Sequence, residues 1–262
     1  MSGEHGLKIA VSGKGGVGKT TFAALLARHH ARAGKRVIAV DADPVANLAA
    51  ALGIPEDPPI TPIVELRELI AERTGTAAGQ YGGLFTLNPK VDDLPDRFSR
   101  EREGVRLLVA GTVNEGGSGC FCPESAVLRA LMQHLILYRD DALVMDMEAG
   151  VEHIGRATTR AVDRLVVVVD PGARSQAAAK KIRSLAADIG LTKVSIVINR
   201  VRDAADEEAA RKALQGFDIL GAIPWDDRIA QADRAGIRPF DDLADAPVAY
   251  AEIASKLITA AP

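Results

Sequence analysis

Gly13-Lys14-Gly15-Gly16-Val17-Gly18-Lys19-Thr20-Thr21 reads as G-x-x-x-x-G-K-[ST], and its flanks decide what it means. A short apolar run at residues 7–11 precedes it, and residues 20–32 behind it suit a helix that stops at Gly34. Strand, glycine-rich loop and helix in that order make a phosphate loop. Glycines let successive backbone N–H groups turn inward around an anion, and the helix adds the positive end of its dipole. Lys19 is placed to reach the β- and γ-phosphates and the Thr20 hydroxyl to ligate Mg²⁺, while Gly13, Gly15, Gly16, Val17, Gly18 and Thr21 complete the cradle. The stretch predicts a nucleoside triphosphate as ligand.

Outward from the loop, apolar runs and helical segments alternate. Residues 36–40 form a second strand that ends in Asp41-Ala42-Asp43-Pro44. Carboxylates at the carboxyl end of a parallel strand face the mouth of the sheet, where ligands bind in this architecture. Asp41 reads simply as the end of the strand. Residues 142–146 deliver Asp146 to the same mouth, where such an aspartate supports Mg²⁺ directly or through water. Gly150 is placed to let a backbone N–H approach the γ-phosphate, which makes 146–154 a switch segment. Residues 165–170 have no polar interruption, as a strand covered on both faces requires. Residues 173–189 read as a helix whose basic residues Lys180, Lys181 and Arg183 form a solvated face. A strand at 194–198 ends in Asn199-Arg200, another at 219–223 leads into Pro224-Trp225-Asp226-Asp227, and a last helix covers about 246–258.

The alternation predicts one doubly wound α/β domain over residues 1–262, with a mainly parallel sheet of about seven strands. It is interrupted at about 54–104. Four prolines fall between Pro55 and Pro62, a helix follows at 63–73, and small residues fill 75–83. Residues 84–87 suggest a short strand, and 92–102 are charged and read as exposed, before 105–110 returns to the sheet. This insertion reads as surface material, with too few apolar residues for a second core.

Composition sets further limits. The 262 residues are 47% hydrophobic and carry a net charge of −3, so no basic excess points to a nucleic-acid partner. No signal-peptide core and no run of eighteen apolar residues is present, which predicts a cytoplasmic protein without membrane contact. The last helix carries little positive charge, unlike an amphipathic membrane anchor.

Both cysteines lie in Gly111-Thr-Val-Asn-Glu-Gly-Gly-Ser-Gly-Cys120-Phe121-Cys122-Pro123-Glu124. Val127, Leu131, Leu135 and Tyr138 recur behind them at helical spacing, with Pro123 suited to the first helical position. Cys122 therefore starts a helix, a place that lowers a thiol's pKa and favours the metal-binding thiolate. Spacing alone equally allows a free buried pair. Two thiolates cannot complete a four-coordinate site, and neither His134 nor His153 stands at a diagnostic distance from them. A two-fold dimer would bring a second pair and complete a Cys₄ set. His153 reads as a structural histidine, with a transient metal relay as its other reading.

The loop with its second lysine, Lys14-Gly-Gly-Val-Gly-Lys19-Thr-Thr, resembles the deviant Walker-A ATPases, which include the nitrogenase iron protein and the Min and Par positioning ATPases. That resemblance implies ATP and ADP as ligands and a homodimer that closes on ATP, with Lys14 crossing to the partner's nucleotide. It implies that Asp43 positions the attacking water or acts as its base. It also implies that Asn199 recognises adenine and that the turn at Pro224 borders the base, beside which Arg200 could stack. Cys120-Phe-Cys122-Pro-Glu and Asp146-Met-Glu-Ala-Gly-Val-Glu-His153 resemble the CooC-type ATPases that mature nickel-dependent carbon monoxide dehydrogenase. The implied cargo is Ni²⁺ or Zn²⁺, held by Cys120 and Cys122 of each subunit, and the implied client is that dehydrogenase. Two other readings stand beside it. An electron-transfer ATPase with a [4Fe–4S] cluster needs cysteines from two well-separated positions per chain, and a positioning ATPase needs a basic patch or a membrane anchor.

Overall fold

The computed structural model describes residues 6–76, 84–113, 122–148 and 159–259. An eight-stranded sheet runs through it in the order β3-β4-β2-β5-β1-β6-β7-β8. The strands are β1 (Lys8–Ser12), β2 (Val37–Ala42), β3 (Arg100–Arg102), β4 (Val105–Val109), β5 (Ala142–Met147), β6 (Arg164–Val169), β7 (Val194–Val201) and β8 (Asp218–Pro224). All pair in parallel except β3, which lies antiparallel to β4 with Arg100 opposite Leu107 and Arg102 opposite Val105.

Every residue of β1, β2 and β5 is buried, because helices cover both faces of the sheet. Successive residues of a strand point to opposite faces. On β2, Val37 and Ala39 join one core with α1 (Lys19–Arg32), α2 (Leu48–Leu52) and α9 (Val248–Thr259), through Phe22, Leu25, Leu48, Tyr250 and Ile253. Ile38 and Val40 join the other core with α3 (Arg67–Thr74), α5 (Pro123–Tyr138) and α6 (Ala173–Asp188), through Leu69, Leu131, Leu135 and Ile182. The remaining helices are α4 (Leu94–Phe98), α7 (Ala204–Ala213) and α8 (Asp227–Ala235).

Three expectations change in the 54–104 region. The charged stretch 92–102 is not all exposed: Leu94 of α4 is fully buried, and β3 adds the edge strand that makes the sheet eight rather than seven. Residues 84–87 pair with no strand, and Leu84 is 100% exposed. The helix expected at 63–73 splits into a 3₁₀ turn, Ile63–Glu65, and α3. Ile63, Leu69, Ile70 and Val91 from this region pack into the main core. Three guanidinium contacts tie its two ends together, from Arg102 to the carbonyl of Gly53 and from Arg100 to those of Pro55 and Pro59.

Leu135→Ala would open a cavity where α5 packs on the sheet, at a site with no exposure. Urea unfolding should show a loss of about 2–5 kcal/mol with little change in the denaturant slope.

Candidate functional site

The carboxyl ends of the parallel strands converge on one edge of the sheet, and the phosphate loop lies there between β1 and α1. Its glycines are fixed by two close approaches. At Gly13, with φ 148°, a Cβ would sit 2.3 Å from the Val168 carbonyl oxygen of β6. At Gly18, with φ 92°, it would sit 2.5 Å from Nδ2 of Asn199. A Cβ on Gly15 or Gly16 would meet nothing within 4 Å, so this part of the loop borders open space. The first turn of α1 has no side-chain cap, which leaves its N–H groups for an anion.

The loop forms one end of a cleft of about 430 Å³. Gly15, Gly16, Gly18, Lys19, Thr20 and Thr21 line that end, Asp43 and Asn47 enter from the β2–α2 loop, and Asn199, Arg200 and Pro224 come from the ends of β7 and β8. Ten of the residues singled out in the sequence therefore share one cavity. Val17 lies beneath it, 1% exposed, and its carbonyl accepts the Asn199 amide at 2.8 Å. That amide is thus engaged with the phosphate loop. Lys14 is exposed and does not line the cleft. Gly150, Cys120 and His153 lie outside the described residues.

Asp146 lies one residue before the end of β5, in register with Val11 on one side and Asp41 on the other. It is 1% exposed, and neither carboxylate oxygen has a hydrogen-bond partner. Burial pushes its pKa up to about 7; the Thr20 hydroxyl and Lys19 act against this, and Asp41 and Asp43 act with it. An unpartnered carboxylate beside a hydroxyl is an all-oxygen donor set of the kind Mg²⁺ takes, and a bound cation would satisfy oxygens that protein groups leave bare.

Asp41 does more than end its strand. It is fully buried, and its carboxylate accepts the Leu48 N–H at 2.9 Å and the Asp43 N–H at 3.2 Å. It thereby starts α2 and shapes the loop that presents Asp43, whose own carboxylate accepts the Val45 N–H at 3.0 Å. Burial outweighs these bonds and raises its pKa to about 6. The sequence signal was a second aspartate two residues before Asp43, near the buried end of an apolar strand.

Cys122 caps α5 as expected, accepting the Ser125 N–H at 3.4 Å, and its thiol lies 3.2 Å from the Ser125 hydroxyl oxygen. The expected low thiol pKa is corrected: burial raises it, Glu124 adds to the rise, and the Ser125 bonds only oppose it. A helix terminus favours a thiolate only where the sulfur keeps some solvation. Among the described residues no three His, Cys, Asp or Glu side chains cluster as a metal site, and no helix is long and apolar enough to cross a membrane.

A family model for the CobQ/CobB/MinD/ParA nucleotide binding domain matches residues 8–240. The sequence is 46% identical over 237 residues to the carbon monoxide dehydrogenase accessory protein CooC of Rhodospirillum rubrum, covering 90% of each chain. It is 42% identical over 233 residues to an uncharacterized ATP-binding protein of Methanocaldococcus jannaschii, covering 88% of this chain and 90% of that one. In fold it is similar to the MinC:MinD cell division complex of Aquifex aeolicus, with TM-score 0.67, 19% identity and 96% of each chain covered. It is also similar to MinD of Pyrococcus horikoshii complexed with Mg-ADP, with TM-score 0.64, 21% identity and 95% of each chain covered.

The raised pKa of Asp146 gives a signed expectation. This carboxyl binds its proton up to about pH 7 when folded and only up to its ordinary 3.8 when unfolded. Its stabilising contribution is therefore complete at low pH and is lost as pH rises through 7. Between about pH 5.5 and about pH 8, wild-type protein without nucleotide should lose more stability in urea unfolding than Asp146→Asn, which has no such titration. Equal losses would mean that the carboxyl is ionised throughout.

Proposed function

The chain belongs to the CobQ/CobB/MinD/ParA nucleotide-binding family, and from that membership we propose that it is a dimeric MgATPase serving as accessory metallochaperone to a nickel carbon monoxide dehydrogenase. What supports the reading is one arrangement, a phosphate loop opening on a nucleotide-sized cleft with Asp43 and the unpartnered Asp146 at the same sheet edge. The 46% identity to a carbon monoxide dehydrogenase accessory protein, over 90% of both chains, points to the client.

In this reading residues 13–21 cradle the triphosphate and Lys19 pairs with its β- and γ-oxygens. Thr20 and Asp146 hold Mg²⁺, which when bound neutralises charge on the same oxygens. Asp43 orients the attacking water or takes its proton. Lys14, exposed and outside its own cleft, is left to reach the nucleotide of a second subunit. Gly150 offers its N–H to the γ-phosphate, and Asn199, Arg200 and Pro224 border the base. The whole chain acts as one nucleotide-binding domain in the cytoplasm.

Nickel, or zinc in its place, is cargo. Cys120 and Cys122 of two subunits would make a four-thiolate site on the two-fold axis. Because burial keeps Cys122 protonated, metal binding has to displace its proton. Closure on ATP and assembly of the four thiolates share one interface, so the two affinities are reciprocally coupled.

A positioning role like that of MinD, to which the chain is 26% identical in Bacillus subtilis, is the second reading. Against it, α9 places Tyr250, Ile253 and Leu257 in the core, so that the apolar face of this helix is already covered.

Lys14→Ala should bind MgATP about as well as wild type and hydrolyse it on the order of 10³-fold more slowly, whereas Lys19→Ala should lose binding itself. Unchanged turnover in Lys14→Ala would remove the trans role. Nickel affinity should differ between protein with and without a non-hydrolysable ATP analogue, and equal affinities would contradict the coupling.

A further inference from the structure

Glu103 stands where the backbone does not favour it. It is the first residue of the two-residue turn between β3 and β4, at φ 50°, and Gly104 follows at φ 78°. Such a turn takes asparagine or glycine more readily than a long side chain. The carboxylate held there gathers three guanidinium groups. Its Oε1 accepts a hydrogen bond from Arg238 at 2.6 Å and lies 3.8 Å from Arg102, and its Oε2 lies 3.5 Å from Arg28. The bond from Arg238 above all holds this carboxyl below the usual carboxylate range, so it is charged at neutral pH.

The three arginines tie together elements that border the nucleotide cleft. Arg28 of α1 is 4% exposed and donates to the carbonyls of Phe240 and Asp241 at 2.7 and 2.8 Å. Arg238 donates to the Asp241 carboxylate at 2.9 Å and lies across Gly53, where a Cβ would sit 2.7 Å from its Cδ. Arg102 donates to the Gly53 carbonyl. Gly53 closes α2, whose Ala50 and Ala51 line the cleft, and Ile237 and Pro239 on either side of Arg238 line it as well. Neither Glu103 nor any of the three arginines lines it.

We propose that Glu103 is a positioning residue for the nucleotide, holding segment 236–239 against the end of α2 through Arg238 and so fixing the width of the cleft. The inference rests on the ATPase reading and adds to it a residue outside the cleft that shapes it in advance. A wall fixed before the ligand arrives loses little freedom on binding. Glycine or asparagine at position 103 would relieve the backbone but supply no charge to three guanidinium groups.

Two measurements test this together: steady-state hydrolysis of MgATP, and calorimetry with inorganic tripolyphosphate, which the phosphate loop alone can hold. Glu103→Gln should raise KM for MgATP on the order of tenfold and leave both kcat and tripolyphosphate affinity unchanged. Arg238→Gln, which leaves Arg28 its carboxylate, should show the same split, and it carries the test if Glu103→Gln does not fold. Because both residues act through one contact, the double variant should lose no more than either single one. Wild-type KM in both variants, losses that add in the double variant, or equal losses for MgATP and tripolyphosphate overturn the inference while the ATPase reading stands. Absence of MgATP hydrolysis by the wild-type protein overturns both.

Discussion

The close packing of the phosphate loop over the carboxyl end of the sheet is the constraint on which this architecture depends. The phosphate loop has to curl over the end of β1, so close to β6 that Gly13 has no room for a Cβ beside Val168. Its far end reverses at Gly18 into α1, where the Asn199 amide fastens it through the Val17 carbonyl. β6 and β7, both on one side of β1, thus grip the loop, and the parallel register brings Asp41 and Asp146 to the same edge. Fold and site are the same set of contacts seen from two sides.

The acidic edge shows what the site costs the fold. Asp146 is buried with both oxygens unpartnered, and burial, with the charges of Asp41 and Asp43 adding to it, holds its pKa far above the usual carboxylate range. Such a group opposes folding in the absence of a cation and favours a cation when one arrives. Asp41 meets the same burial but spends its oxygens on the N–H groups of Leu48 and Asp43, so it is structural. Two aspartates side by side in register therefore serve different ends, separated by whether the chain supplies hydrogen-bond donors.

The parallel strands and the phosphate loop were legible because their signals are local: unbroken apolar runs, and a motif between a strand and a helix. What escaped depended on partners distant in the chain. Arg100-Glu101-Arg102 has no apolar alternation, and it is a strand only because β4 offers an edge to pair with. The role of Asp41 depends on an N–H seven residues on. The helix start at Cys122 was read correctly from Pro123, yet the thiol's ionisation follows tertiary burial and reversed the expectation. Trp225 stood in a turn noted for its backbone, while its ring contacts join residues of β7 and α8.

The proposed function requires two chains to share a thiolate metal site. The most direct measurement is equilibrium dialysis of reduced, anaerobically purified apo-protein against Ni²⁺, comparing wild type with the Cys120→Ala/Cys122→Ala double variant. One tightly bound ion per two chains, lost in the variant, is the expected result. Weak binding that the variant leaves unchanged would contradict it.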